Sequence, residues 1–160
     1  HWFAWRMMLR AKTSAVRYYM TDAATGVTWV PDLRPYLSGD QVGKFGRSPE
    51  MILQLAQHLA GEYRRETGRE AEVRALVLTS LNGRKPQLLI DPQVDLAREP
   101  RGFQPRPWIM PLTEPLRTPA WSEPLTEWER LVELPPLPVV TMPTTTRMAT
   151  PTSVAGNPPQ

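Results

Sequence analysis

Cysteine is absent from the 160-residue chain, which excludes a disulfide framework and any thiolate metal site. No apolar run reaches the ~18–20 residues that a membrane-spanning helix needs. Histidine is scarce, with His1 and His58 only. His58 has no second histidine or carboxylate at ligand spacing, so it reads as a surface or structural residue and no metal is expected. The usual signatures of stand-alone catalysts are also missing: no HExxH, no GxSxG, no Walker loop, no GxGxxG and no thiol nucleophile.

Charge of one sign is not in large excess either. The chain has 19 Lys and Arg against 16 Asp and Glu, a net +3, and the signs interleave in stretches such as "EYRRETGREAEVR". That pattern is a solvated surface, not the basic stripe of a nucleic-acid binder, and no nucleic-acid partner is expected. Proline is unevenly spread. Residues 1–97 hold five of the 19 prolines and residues 98–160 hold fourteen. The expected organisation follows: a folded α+β unit over 1–97, an extended aromatic strap over 98–116 that docks on it, and a largely disordered Pro/Thr-rich tail over 117–160.

Within the first unit, residues about 4–12, 15–22 and 27–30 read as an antiparallel meander. The small polar pair Thr13-Ser14 divides the first two strands, and Asp22 to Gly26 forms a hairpin turn. "SPEMILQLAQHLAGEYRRETG" is an amphipathic helix. Ser48 is its N-cap, Pro49 takes the first turn, Glu50 complements the positive end and Gly68 stops it. Ile52, Leu55, Leu59 and Tyr63 form its apolar stripe, widened by Met51, Ala56 and Ala60. "EVRALVLTSLNGRKPQLLIDP" is a hairpin about an Asn82-Gly83 type I′ turn, with Pro86 restricting the return strand to an edge or bulge. The expected fold is therefore α+β: a small antiparallel sheet of about five strands, ordered β-β-β-α-β-β along the chain, with one helix on one face. "WSEPLTEWERLVEL" adds a short helix near 123–133, and no fixed structure is expected after Pro135.

Candidate chemistry is sparse. Asp91 and Asp95 in "IDPQVDL" are a possible carboxylate pair, but their setting beside Pro92 favours turn capping. Lys12, Lys44 and Lys85 serve as bases only if burial lowers their pKa. The opening "HWFAWRMMLRAK" crowds two Trp, two Met and a Phe into eight residues at a terminus that normally frays. This predicts a strand belonging to a larger protein; if that protein is membrane-bound, its spans precede His1. Alternation puts Trp5, Met7 and Leu9 on one face and Ala4, Arg6, Met8 and Arg10 on the other. The second face mixes a thioether with two guanidiniums, which suits a carboxylate-bearing ligand or a partner surface as well as plain packing.

The order of "WRMMLRAK", a hairpin, an amphipathic helix, "SLNGRKPQLLIDPQVDLA" and "PWIMPL" resembles the lumenal part of vitamin K-dependent gamma-carboxylases and their bacterial HTTM-type relatives, over roughly residues 1–116. The resemblance implies a parent integral membrane protein with this domain on the extracytoplasmic, periplasmic or lumenal side. Its reaction turns a peptide glutamate, carbon dioxide and oxygen into γ-carboxyglutamate, driven by oxidation of vitamin K hydroquinone to the epoxide. A γ-carbon proton is too weakly acidic for an ordinary side-chain base, so the cofactor supplies the driving chemistry and the protein supplies orientation and water exclusion. The groups that start this chemistry are expected in the upstream transmembrane domain, so this chain is not by itself an enzyme and does not bind the hydroquinone alone. What the resemblance assigns here is binding: Trp5, Arg6, Met7, Met8 and Arg10 to the substrate glutamate, and Trp108 to a peptide. Arg6 and Arg10 stand where vertebrate members have Asp and His. The expected partners are a Glu-containing peptide or protein and the upstream domain. The alternatives are a non-enzymatic peptide- or partner-binding module and a purely structural one.

Overall fold

The computed structural model describes residues 11–38, 41, 44–102 and 105–141. Strand β1 spans Lys12–Asp22, β2 Thr28–Trp29, β3 Ala71–Leu81 and β4 Gln87–Leu88, with helix α1 over Pro49–Thr67. The strands form one antiparallel sheet in the order β2-β1-β3-β4. The α+β class stands as the sequence pattern implies. The described sheet has four strands where about five are expected, because the expected strand at 4–12 falls almost wholly outside the described residues. The expected break at Thr13-Ser14 is not there. Ser14 pairs with Thr79 inside the ladder, and their hydroxyls hydrogen-bond at 2.9 Å, so the polar pair is satisfied without a turn.

Alternation along β1 and β3 divides the core in two. On one face Tyr18, Met20, Val73, Ala75 and Val77 meet Ile52, Leu55 and Leu59 of α1. Leu53 is fully buried whereas Met51 is 36% exposed, so the apolar stripe of α1 is rotated toward Leu53 from the expected one. Tyr18 reaches this core without an orphaned hydroxyl, donating to the Ile52 carbonyl at 3.1 Å. Ser48 occupies the N-cap position, yet its side chain makes no capping bond; its carbonyl accepts the first helical bond from Ile52. Gly68 closes the helix at φ 70°.

The second face carries Tyr19, Leu76 and Leu78, and it is covered by residues 121–137, where a short helix near 123–133 is expected within an otherwise largely disordered tail. A 3-10 turn at Leu125–Glu127 and helix α2 at Trp128–Leu131 set Trp128, 3% exposed, against this trio. Trp121, Val132, Leu134 and Leu137 complete the cover. The expectation of a disordered tail is corrected for residues 117–141. Proline density hid five large apolar anchors, which an extended chain can bury with few internal hydrogen bonds. Residues 142–160 lie outside the described part.

Both sheet edges are closed by chain that is not strand. Met110 N–H donates to the Leu89 carbonyl at 3.0 Å, Asp91 N–H to the Trp108 carbonyl at 2.8 Å, and Ile90 bridges Ile109. On the far side Thr141 N–H donates to the Thr28 carbonyl at 2.9 Å. Proline-bearing covers of this kind block strand addition by another chain.

Two local features make measurable predictions. A Cβ on Gly46 would lie 2.3 Å from Val16 Cγ2 and 3.1 Å from Ser14 Cβ, so the loop before α1 rests directly on β1. Gly46→Ala is expected to destabilise the fold by about 1–3 kcal/mol through overpacking, read as a lower urea midpoint at unchanged slope. At the other end of β1, buried Asp22 accepts from Ala24 N–H at 2.9 Å and from the Tyr63 hydroxyl at 3.0 Å, and pairs with Arg69 at 2.7 Å. The backbone bond from Ala24, aided by Tyr63 and Arg69 against the opposing effect of burial, holds its pKa below the ordinary 3.8. A depressed carboxylate stabilises the fold above its unfolded pKa, and that contribution is lost as pH falls through the folded value. Asp22→Asn should therefore lower the melting temperature at pH 7 and flatten its decline below pH 3.8 relative to the native chain.

Candidate functional site at the start of the first strand

The Asn82-Gly83 turn fixes where β1 begins. Asn82 at φ 53° and Gly83 at φ 72° give the two positive dihedrals of a type I′ turn. Asn82 also exchanges hydrogen bonds with Ala11: its N–H donates to the Ala11 carbonyl and its Oδ1 accepts the Ala11 N–H, both at 2.8 Å. The turn closes through Arg84 N–H to the Leu81 carbonyl, whereas the ladder beyond pairs Thr79 with Gln87. The return strand thus carries one more residue than its partner, a bulge at Lys85-Pro86, as a proline lacking N–H requires. The "SLNGRKPQ" stretch therefore acts as a clamp on the residue that joins "WRMMLR" to the sheet.

Beside this clamp lies an open cleft of about 250 Å³. Leu81, Leu89, Met110 and Leu112 make its aliphatic walls, and Lys12, Thr79 and Gln87 supply polar groups. Gln87 also holds the strap: its Nε2 donates to the Pro111 carbonyl at 2.7 Å, and its Oε1 accepts the N–H groups of Thr113 and Glu114, each at 2.9 Å. Met110 and Leu112, 40% and 49% exposed, are thereby kept at the cleft rim.

Lys12 is the titratable group of this cleft. It is half-buried, and its ammonium donates to the Arg47 carbonyl. Burial first, and the Arg47 charge second, push its pKa below the ordinary 10.5. No carboxylate is among the described lining residues. A partly desolvated ammonium facing aliphatic walls, with a second cation close by, has the chemistry to accept an anion. The γ-carboxylate and methylene stem of a glutamate match that combination of charge and apolar surface. Lys12 stood in the sequence only as one of three lysines conditional on burial. Its place beside the Asn82 clamp and the strap was not readable, because both are non-local.

Trp5, Arg6, Met7, Met8 and Arg10 lie outside the described residues. Trp108 is 3% exposed and belongs to the main core. Its ring fastens the strap, with the Arg106 guanidinium 5.6 Å from the ring centroid, so the exposed strap positions next to the cleft are Met110 and Leu112. Asp91 and Asp95 do turn chemistry. Asp91 Oδ1 accepts Gln93 N–H at 2.9 Å, and Asp95 Oδ1 accepts the N–H groups of Val73 and Ala97 at 2.9 and 3.1 Å. His58 pairs with Glu62 at 3.5 Å on the helix surface. Among the described residues no cluster of three potential metal ligands occurs, and no helix is long and apolar enough to cross a membrane.

The clamp, the cleft and the strap all fall within one family match: the model of the vitamin K-dependent gamma-carboxylase lumenal domain covers residues 1–115. The chain belongs to this family. No curated protein and no solved structure matches it. Membership in a lumenal-domain family implies an extracytoplasmic location for the domain. The match takes in "WRMMLRAK", "SLNGRKPQLLIDPQVDLA" and the strap through Pro115, and it leaves the cover of the second sheet face, residues 117–141, outside.

Proposed function

We propose that this domain positions the glutamate of a peptide substrate for carboxylation by a membrane-anchored gamma-carboxylase, holding the side-chain carboxylate at Lys12. The observation that carries the reading is the family match over residues 1–115 combined with a cationic, aliphatic cleft at the junction of "WRMMLR" with β1. Lys12 and the Arg47 charge bind and orient the carboxylate, the leucine walls exclude water from the methylene stem, and the strap residues Met110 and Leu112 contact the flanking peptide.

The Lys12 cleft is not a fitting site for vitamin K hydroquinone. The cleft offers one ammonium and aliphatic walls, with no aromatic ring to stack on a naphthoquinone and no paired donors for its two oxygens. We assign that cofactor, and the proton transfer it drives, to the upstream transmembrane domain. The test is a carboxylation assay on the membrane-anchored parent with hydroquinone and a Glu peptide. Carboxylated product and epoxide formed together, with Lys12→Gln raising KM for the peptide, support the reading. An inactive parent whose isolated domain still binds the peptide would make this a non-catalytic peptide-binding module.

A further inference from the structure

The second face of the sheet is filled by a segment that is built like a bound peptide. Residues 118–141 contribute no strand to the sheet, and their polar ties to the body are few and widely spaced. Trp121 N–H donates to the Gly83 carbonyl at 2.8 Å, and Arg17 pairs with Glu129 at 2.8 Å. Gln93 Nε2 donates to the Pro136 carbonyl, and Thr141 meets Thr28. The remaining hold is apolar, through Trp128 on Tyr19, Leu76 and Leu78.

The charges are complementary. Arg17 and Arg74 stand at second-face positions of β1 and β3, while the segment carries Glu123, Glu127, Glu129 and Glu133 against one Arg130. The seal is also incomplete: the indole nitrogen of Trp121 and Nε of Arg74 are buried without a hydrogen-bond partner, unlike the satisfied polar groups of the α1 side. A cover with few ties and unsatisfied donors opens more easily than the core beneath the helix.

We propose that this face is a docking surface for an extended, acidic, proline-interrupted peptide with a tryptophan anchor, and that the chain occupies it in cis with its own residues 118–141. Release of this C-terminal segment opens the surface to a trans ligand of the same chemistry. The six residues between the Gln87-held Glu114 and Trp121, two of them prolines, form the tether, so an incoming peptide competes against an intramolecular ligand. This site is on the opposite face of the sheet from α1, shares Leu88 with the Lys12 cleft but is otherwise formed by different residues, and stands apart from the proposed carboxylation role.

The test uses the full chain and two readouts. Hydrogen exchange on the native protein should show the amides of Trp121, Val132 and Thr141 exchanging at least about 100-fold faster than those of Val77 and Leu89, as local opening requires. A fluorescent peptide of the sequence of residues 119–141 should bind the Trp128→Ala chain at least about tenfold more tightly than the native chain, because the weakened cis segment no longer competes. The same peptide with its tryptophan at the position of Trp128 replaced by alanine should not bind. Amides of residues 118–141 that exchange only together with those of β3 in the native chain would overturn the proposal. So would absence of peptide binding to a Trp128→Ala chain that retains α1 and β3 protection.

Discussion

Lys12→Gln is expected to weaken binding of a glutamate peptide to this chain by roughly 10- to 100-fold, the loss of one charge-assisted hydrogen bond in a partly desolvated site. The fold should survive the change. Lys12 is half-buried with a pKa depressed by burial and by Arg47, so its charge is a liability to the free protein. The folded-state pKa lies below the unfolded 10.5, so between the two values the unfolded chain holds more protons and stability rises with pH. Lys12→Met should flatten that rise and keep or raise the melting temperature while abolishing peptide binding. Affinity of the native chain should fall as alkaline pH strips the ammonium, with a midpoint below 10.5 in the free protein. Loss of binding together with retained stability is the behaviour of a site rather than of a packing residue.

Leu59→Ala has the largest expected effect on stability, about 2–5 kcal/mol. Leu59 is fully buried at the centre of the stripe that seats α1 on Tyr18, Met20, Val73 and Val77, where a truncated side chain leaves a cavity that fixed strands cannot close. Such a loss is a large share of the stability of an ordinary small domain, about 5–15 kcal/mol. Urea unfolding followed by tryptophan fluorescence measures it. A cost below about 1 kcal/mol would mean that the helix is not seated on the sheet in this register.

The α+β class, the long helix with its Gly68 stop and the Asn82-Gly83 turn were legible because each rests on local signals: apolar spacing, a left-handed glycine, a two-residue turn pair. The turn roles of Asp91 and Asp95 were legible for the same reason. The continuity of β1 through Thr13-Ser14 was not, since it depends on Thr79, 65 residues away, to receive the Ser14 hydroxyl. The cover of the second face was hidden by composition. Prolines around Trp121, Trp128 and Leu137 imitate a disordered tail, and only the presence of an apolar face on β1 and β3 shows where those side chains go. The resemblance assigns Trp108 to a peptide, but an aromatic residue in a strap reads equally well as a contact or as an anchor, and only the structure shows this ring buried in the main core. Lys12 gained its meaning from three elements distant in sequence: the Arg47 loop, the Asn82 turn and the Gln87-held strap.

The most direct test of the central claim is a paired titration of the native chain at neutral pH with a Glu-containing peptide and the same peptide carrying Gln in its place, following the Lys12 ammonium by NMR. The account predicts that the Glu peptide shifts the Lys12 signal and raises its pKa, whereas the Gln peptide does neither. Equal binding of the two peptides, or saturable binding of the Glu peptide that leaves Lys12 unperturbed, would contradict it.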